Sequence, residues 1–293
     1  MKKIVIIGAS IAGHTIATGI RQQNKDAAIT LLTQEKFPLY DKRKLLDFLS
    51  GKVKEKDLML AAEPSYKENN INFIKEAKVT GISTHKRLVH IKDEDSVGYD
   101  LLVICSGKSF VLPTISGIHK EGVFGLASLT DYKEFSKFLM ADSFCVSGSS
   151  DYALNFANAL ALRGKEVRLI NPNGADIQNL AEGIELMNTE ITEIIGEAEV
   201  LGARIKEGKI VGTSAVIFAD KLTGNIDFIK NTDIETSNGL ICVNENKETN
   251  MKNVFACGGV SYDKINDSSP KTWDESMQDA QNLVSVLLNK IIS

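Results

Sequence analysis

The sequence has 293 residues, a length that predicts two domains of ordinary size. Hydrophobic residues at 43% and charged residues at 25% are the proportions of a globular protein with a core, and the net charge of −4 gives no reason to expect a nucleic-acid partner. No apolar stretch is long enough to cross a bilayer, and the apolar run after Lys3 ends at Gly8 without a signal-peptide pattern. We therefore expect a cytoplasmic protein that binds neither nucleic acid nor membrane.

The N-terminal stretch KIVIIGASIAGHTIATGIRQQ predicts a strand over residues 3–7, a turn over residues 8–13 and a helix to about Gln23. Gly8 permits the tight turn, and Gly13 lets the helix pack closely on the strand. Ser10 replaces the middle glycine of the dinucleotide-binding pattern, but its side chain is small enough for a phosphate to approach the backbone. We expect the first amides of the helix to face a pyrophosphate, which the helix dipole favours.

Further strand-like segments extend this frame. AAITLLTQEKF predicts a second strand, after which Glu35 stands where an acidic residue would bind a ribose hydroxyl. YDLLVICSG (residues 99–107) and NVFACGGV (residues 253–260) predict buried strands that end in small residues. This order indicates a Rossmann-like α/β domain, and the alternative is a turn that only caps a helix in such a domain.

A second strand-turn-helix unit is predicted in CVSGSSDYALNFANAL (residues 145–160). KEVRLIN predicts a strand that ends at Asn171, followed by a short helical stub around residues 176–181. Residues 183–212 predict short strands with a turn at residues 207–208. SSPKTWDESMQDAQNLVSVLLNKIIS predicts a C-terminal amphipathic helix with serine and proline at its start.

The cysteines and histidines show no metal or redox pattern. Cys105, Cys145, Cys242 and Cys257 are far apart, no CxxC occurs, and each lies in an apolar strand-like run. We therefore expect buried, unreactive thiols. The four histidines lack metal-ligand spacing, so no metal site is predicted.

The order of these elements resembles the FAD-dependent pyridine nucleotide-disulfide oxidoreductases, in particular the branch of NADH:rubredoxin reductases, ferredoxin reductases and the flavin part of assimilatory nitrite reductase. The resemblance covers nearly the whole chain. It implies two Rossmann-like, three-layer (ββα-type) α/β domains: a split FAD-binding domain (residues 1–115 and 238–293) and an inserted, degenerate NAD(P)-binding-like domain (residues 116–237). The domain crossings should fall near residues 113–122 and 236–240.

The family's C-terminal domain, often a dimer interface, is absent from the sequence. If dimerisation or a redox partner is required here, a redox protein or a second subunit is therefore the expected partner. The oligomeric state is left open by the sequence.

The resemblance also implies which residues hold FAD. The first turn would carry the pyrophosphate, Glu35 the adenosine ribose and the backbone of Val79 the adenine, while Lys42 takes the place of an arginine. Residues 105–107 match the family's Ala-Thr-Gly, and Trp273 and Ser276 would lie nearest the flavin ring. The candidate cofactor-binding residues are Gly8, Ser10, Ile11, Ala12, Gly13, Glu35, Lys42, Val79, Cys105, Ser106, Gly107, Gly258, Gly259, Trp273 and Ser276.

Two departures from the family pattern affect the flavin end of this site. Gly258 matches the family's Gly-Asp pair, but Gly259 stands where the aspartate would bind the ribityl chain. Its absence removes one charge-assisted hydrogen bond, a loss of about 1.5–3 kcal/mol. Asp279 and Ala280 also replace the family's glutamine-glycine pair.

The second turn departs further from the family. Gly148 is kept, but Ser150 and Ala153 replace the second and third glycines. Asn155 replaces a glutamate near the nicotinamide, and Asn171 replaces the acid found in NAD-dependent members. VIFADKLTGNIDF (residues 216–228) also lacks the glycine and proline that close over the dinucleotide. Together these changes predict that the site no longer binds NAD(P).

Thiol chemistry is not expected either, because neither the helix after Gly13 nor FPLYDKRKL contains a cysteine. The flavin would carry the chemistry without a catalytic side chain. The sequence therefore predicts a FAD-binding oxidoreductase or electron-transfer flavoprotein that does not use NAD(P)H directly. Two alternatives stay open: an NADH-dependent rubredoxin- or ferredoxin-type reductase, and a non-catalytic binding paralogue, which Gly259 favours.

Overall fold

The computed structural model describes residues 1–263 and 271–292. The chain folds into two compact units. The first unit comprises Met1–Tyr40, Met59–Lys108 and Thr223–Ser293, and the second comprises Asp41–Leu58 and Ser109–Leu222.

The elements are numbered in chain order. The strands are β1 (Lys3–Ile7), β2 (Ala28–Leu32), β3 (Ile71–Ile74), β4 (Val79–Ser83), β5 (Leu88–Ile91), β6 (Val97–Gly98), β7 (Leu101–Ile104), β8 (Lys108–Phe110), β9 (Val123–Phe124), β10 (Ser143–Ser147), β11 (Glu166–Ile170), β12 (Ile184–Met187), β13 (Ile191–Ile195), β14 (Gly202–Ile205), β15 (Ile210–Gly212), β16 (Ala215–Phe218), β17 (Leu222–Gly224), β18 (Thr236–Ser237), β19 (Leu240–Val243), β20 (Val254–Ala256) and β21 (Ser261–Asp263). The α-helices are α1 (Ile11–Gln23), α2 (Leu45–Ser50), α3 (Glu63–Glu68), α4 (Leu129–Ser136), α5 (Asp151–Ala161) and α6 (Trp273–Ile292). Among the helices of the described residues, none is long and apolar enough to cross a membrane.

The first unit is built on a parallel sheet with the strand order β20-β7-β1-β2-β3. Successive residues of β1 face opposite layers: Ile4 and Ile6 join the core beneath α1 and α6, whereas Val5 and Ile7 pack with β4 and β5 on the other face. Because both faces are covered, β1 is a continuous apolar run in the sequence. This ββα layering confirms the predicted Rossmann-like fold.

Apart from the segment Asp41–Leu58, the chain crosses between the units at Lys108–Ser109, before the expected residues 113–122, and at Leu222–Thr223. The second crossing comes earlier than residues 236–240, because Ile229 and Ile234 are buried in the core of the first unit. The segment Asp41–Leu58 belongs to the second unit, and no sequence pattern predicted this. Which unit serves FAD and which resembles an NAD(P) domain stays a prediction.

The second unit has its own parallel sheet, with the strand order β12-β11-β10-β16-β9. On one face, the Phe135 ring packs edge to face on Phe144 and Phe156, with ring centroids 5.6 and 5.5 Å apart. On the other face, Cys145 and Ile194 belong to the core shared with the antiparallel sheet β13-β14-β15. The predicted strand-turn-helix-strand of this unit forms as β10, α5 and β11.

The stretch between β11 and β12 is a loop and not the predicted helical stub. Gly174 and Asn179 have left-handed φ values of 60° and 61°, which interrupt a right-handed helix. Asn158 of α5 holds the loop instead: its side chain accepts a hydrogen bond from the Ala181 amide (2.9 Å) and donates to the Asn179 carbonyl (3.1 Å).

Candidate cofactor site

The turn after β1 contains two glycines whose surroundings leave no room for a side chain. A Cβ added at Gly8, where φ is +104°, would lie 2.2 Å from the carbonyl oxygen of Cys105. A Cβ added at Gly13 would lie 1.8 Å from the carbonyl oxygen of Gly8. Only glycine at both positions therefore lets α1 pack this closely on the ends of β1 and β7.

The first turn of α1 leaves its amides open to a ligand. Ser10 is the N-cap and has extended backbone angles, but its side chain makes no capping hydrogen bond, and the turn holds no acidic residue. In the described part of the chain, no side chain accepts a hydrogen bond from the amides of Ile11, Ala12 or Gly13. Open amides at the positive end of a helix dipole suit a phosphate. These residues therefore fit the pyrophosphate of a dinucleotide.

Glu35 and the segment that leads to Val79 lie beside each other. The Glu35 carboxylate accepts a hydrogen bond from Tyr40 Oη (2.8 Å), and the Glu35 carbonyl accepts one from the Glu76 amide (3.3 Å). Val79 begins β4 three residues later and pairs with Ile91. The carboxylate is thus held beyond the end of β2, where a ribose hydroxyl could donate to it. Binding of adenosine by these residues stays a prediction.

The ends of β7 and β20 lie side by side because these strands are parallel neighbours. A hydrogen bond to Cys257, together with burial, raises the pKa of the Cys105 thiol well above its ordinary value. Ser106 Oγ donates to the Asn225 carbonyl (2.8 Å), and the Asn225 amide donates to the Gly107 carbonyl (3.0 Å). The turn over residues 105–107 therefore has a protonated thiol and a fixed backbone. All four cysteines are free and buried.

The start of α6 reaches the same edge of the first sheet. A Cβ added at Gly258, where φ is +75°, would lie 3.0 Å from Ala12 Cβ and 3.7 Å from Ser276 Cβ. Ser276 is buried, and Trp273 is the half-buried first residue of α6. The predicted Ser-Ser-Pro start of this helix (residues 268–270) lies outside the described residues. The structure therefore brings the first turn, Gly258 and Ser276 together.

Lysine side chains lie around Gly259. A Cβ added there would be 3.8 Å from Lys108 Cγ, an ordinary contact. Lys271 donates to Ser261 Oγ (3.0 Å) and forms an ion pair with Asp279. Burial and the charge of Lys271 lower the pKa of Lys108. A lysine thus stands beside the position where the resemblance implies an aspartate.

Lys42 lies in the second unit, in the short 3-10 helix Lys42–Lys44. Its Nζ donates to the Ala127 carbonyl at 3.5 Å. The preceding Asp41 is buried and accepts hydrogen bonds from Arg43, which lower the pKa of its carboxyl group. The role of Lys42 in FAD binding stays a prediction.

The turn after β10 makes hydrogen bonds with side chains and carbonyl groups of the second unit. The Ser149 amide donates to Asp220 Oδ1 (3.1 Å), so a carboxylate lies at the start of α5. Ser150 caps α5 by accepting from the Ala153 amide (3.2 Å), and its hydroxyl donates to the Ala219 carbonyl (2.7 Å). A carboxylate at this end of a helix satisfies the dipole that a phosphate would otherwise satisfy.

The side chain of Asn171 joins the same network. This residue is buried, accepts a hydrogen bond from Ser149 Oγ (2.6 Å) and donates to Asn188 Oδ1 (2.8 Å). Asn173 donates from its amide to Ser149 Oγ (3.2 Å) and from Nδ2 to Asp220 Oδ2 (3.1 Å). The asparagine that replaces the expected acid therefore connects the ends of β10 and β11 to Asp220.

Lys108, Asp220 and Asn225 were not predicted from the sequence. Lys108 and Asp220 follow closely on predicted buried strands, at edges where the carboxyl ends of parallel strands meet. A search for polar residues at the ends of β7 and β16 would have found Lys108 and Asp220. Asn225 has no such signal, because it meets Ser106 only through folding across 119 positions.

A family model described as pyridine nucleotide-disulphide oxidoreductase matches residues 2–280. The chain belongs to this family. The resemblance inferred from the sequence is thereby confirmed. The family binds FAD, and homologues use NAD(H) as a substrate. The comparisons therefore do not support the prediction that NAD(P) binding is lost in this pyridine nucleotide-disulphide oxidoreductase.

Two relatives and one solved structure illustrate the similarity. A Methanocaldococcus jannaschii protein described as an NADH oxidase is 28% identical in an alignment of length 279 that covers 87% of this chain and 62% of that relative. A Clostridium acetobutylicum protein described as an NADH-rubredoxin oxidoreductase is 26% identical and aligns with 88% of this chain and 68% of its own length. The crystal structure of the covalent putidaredoxin reductase–putidaredoxin complex matches 98% of this chain and 75% of that chain, with a TM-score of 0.87. At 18% identity, that structure shows the fold alone.

Proposed function

We propose that the chain is a FAD-binding oxidoreductase or electron-transfer flavoprotein whose cofactor lies at the carboxyl edge of the first unit's sheet. The observation that carries this proposal is the first turn of α1. It packs tightly at Gly8 and Gly13, makes no capping hydrogen bond through Ser10 and contains no acidic side chain. Glu35, Gly258 and Ser276 border the same edge. The flavin, when bound, supplies the electron exchange, and the residues named here hold and orient it. Four buried cysteines without a CxxC argue against a redox-active disulfide.

The second unit, in this proposal, does not present NAD(P)H to the flavin. Asp220 supplies an anion at the start of α5, and its charge repels a pyrophosphate at the same amides. Ser150 and Asn171 are engaged within the unit as well. A second candidate, an NADH-dependent rubredoxin- or ferredoxin-type reductase, is favoured by the names of the relatives.

A redox protein or a second subunit is the proposed source or acceptor of electrons. The proposed protein uses no redox-active thiol pair, and the names of its relatives include rubredoxin and putidaredoxin. A cytoplasmic location is part of the same proposal, since free thiols persist in reducing compartments.

An absorption spectrum followed by anaerobic reduction tests the proposal. Purified protein, reconstituted with FAD if necessary, should show flavin bands that bleach with dithionite and persist under millimolar NADH or NADPH. The reason is positional: hydride transfer requires the two rings in contact, and loss of that contact costs many orders of magnitude in rate. Rapid bleaching that saturates with nucleotide concentration would identify the NADH-dependent reductase. A colourless protein that takes up no FAD would identify a non-catalytic paralogue.

A further inference from the structure

One lysine at the flavin end of the first unit differs from its neighbours in its ion pairing among the described residues. Lys247 pairs with Asp263 and Asp279, both at 3.3 Å, and Lys271 also pairs with Asp279. Both of these lysines are therefore paired with carboxylates. Lys108 has no carboxylate partner in the described part of the chain.

The Lys108 side chain lies beside Gly259. Lys108 Cγ is 3.8 Å and Cδ 4.0 Å from the position where a Cβ of residue 259 would stand. The neighbouring Gly258 contacts the first turn of α1 at Ala12 and the start of α6 at Ser276. Burial and the like charge of Lys271 lower the pKa of Lys108, and an anion placed beside it would favour its protonated, positively charged form.

We propose that Lys108, which has a glycine and not an aspartate beside it at position 259, raises the reduction potential of FAD bound in the first unit. Two electrons and one proton convert FAD into the FADH⁻ anion, and a fixed positive charge near the ring stabilises the product more than the neutral oxidised ring. The proposal rests on the proposed FAD site. Its consequence is a flavin that accepts electrons from weaker reductants than it would with an aspartate at position 259.

The test is the midpoint potential of the bound flavin, measured by anaerobic dithionite titration against a reference dye. Lys108→Gln should lower the equilibrium constant for reduction about tenfold, equivalent to about 30 mV for a two-electron couple. Lys108→Arg should keep the wild-type potential. Lys252→Gln is the matched control, because this exposed lysine precedes β20 at the opposite end of the strand from Gly259 and should leave the potential unchanged.

Gly259→Asp provides a second, independent variant. Among the described residues, the Cβ position contacts only the Lys108 side chain, and Gly259 has no left-handed φ, so an aspartate fits there and can pair with Lys108. It should also lower the equilibrium constant for flavin reduction, at least about tenfold. Potentials that are equal in wild type, Lys108→Gln and Gly259→Asp would overturn the inference while leaving the proposed function intact. Wild-type protein that takes up no FAD would overturn the proposed function and the inference with it.

Discussion

The turns after β1 and β10 begin helices of similar length and follow strands at the centre of parallel sheets, yet their first amides meet different groups. In the first unit, the Ser10 side chain makes no capping hydrogen bond at the start of α1. In the second, Ser150 caps α5 and Asp220 accepts from the Ser149 amide. A helix start that is already satisfied has less to gain from a phosphate. Two copies of one local fold therefore differ in the polar groups that meet their helix starts.

The largest effect that would test this comparison is expected from Gly13→Leu. A Cβ at this position would lie 1.8 Å from the Gly8 carbonyl oxygen, so α1 must move away from β1 and the turn must open. We expect loss of FAD retention and destabilisation by about 3 kcal/mol or more, above the usual range for overpacking. The flavin-to-protein absorbance ratio and thermal unfolding measure the two effects.

The control for Gly13→Leu lies at the corresponding position of the second unit. Ala153→Gly should cost about 1 kcal/mol through helix propensity and leave FAD content unchanged. Full flavin occupancy in Gly13→Leu protein would contradict the placement of the cofactor over the first turn.

Asp220→Asn is expected to have the next largest effect, because it removes the carboxylate from the start of α5. If this charge keeps dinucleotides away, NADH affinity should rise about tenfold, or about 1.4 kcal/mol, as measured by calorimetry. Asp227→Asn, an exposed aspartate paired with Lys230, makes the same charge change and should leave the affinity unaltered. Equal NADH binding by wild type and Asp220→Asn would mean that Asp220 does not exclude the nucleotide.

The smallest expected effect is a difference in the free energy of unfolding between two serine variants, one in each turn. Ser150→Ala removes a cap that accepts from the Ala153 amide at 3.2 Å and should lower the free energy of unfolding by about 1 kcal/mol. Ser10→Ala removes no capping bond and should change FAD-free protein by less than about 0.5 kcal/mol. Urea denaturation of both variants measures the difference, and a cost for Ser10→Ala equal to that for Ser150→Ala would show that both turns are capped alike.

Local sequence determined the first turn and the layers around it. Gly8 is required locally by its φ of +104°, Gly13 by a contact within the strand-turn-helix of 21 residues, Lys3–Gln23, and the apolar run of β1 follows from burial on both faces. The strands at residues 101–104 and 254–256 were predicted for the same reason. The four buried cysteines also followed from their apolar neighbours. Each of these features depends on residue type and short-range spacing, which a single sequence displays.

Tertiary structure alone decided the polar contacts that distinguish the two units. Asp220 reaches the Ser149 amide across 71 positions, and Lys108 comes to lie beside Gly259 only because β7 and β20 are neighbours in one sheet. The loop at residues 176–181 likewise follows from Asn158, which holds it from α5. Such contacts depend on which strand ends meet at a sheet edge, and hydrophobic periodicity does not specify which polar side chains then come within hydrogen-bonding distance. The fold could therefore be predicted from the sequence, whereas the partners of the two helix starts required the folded chain.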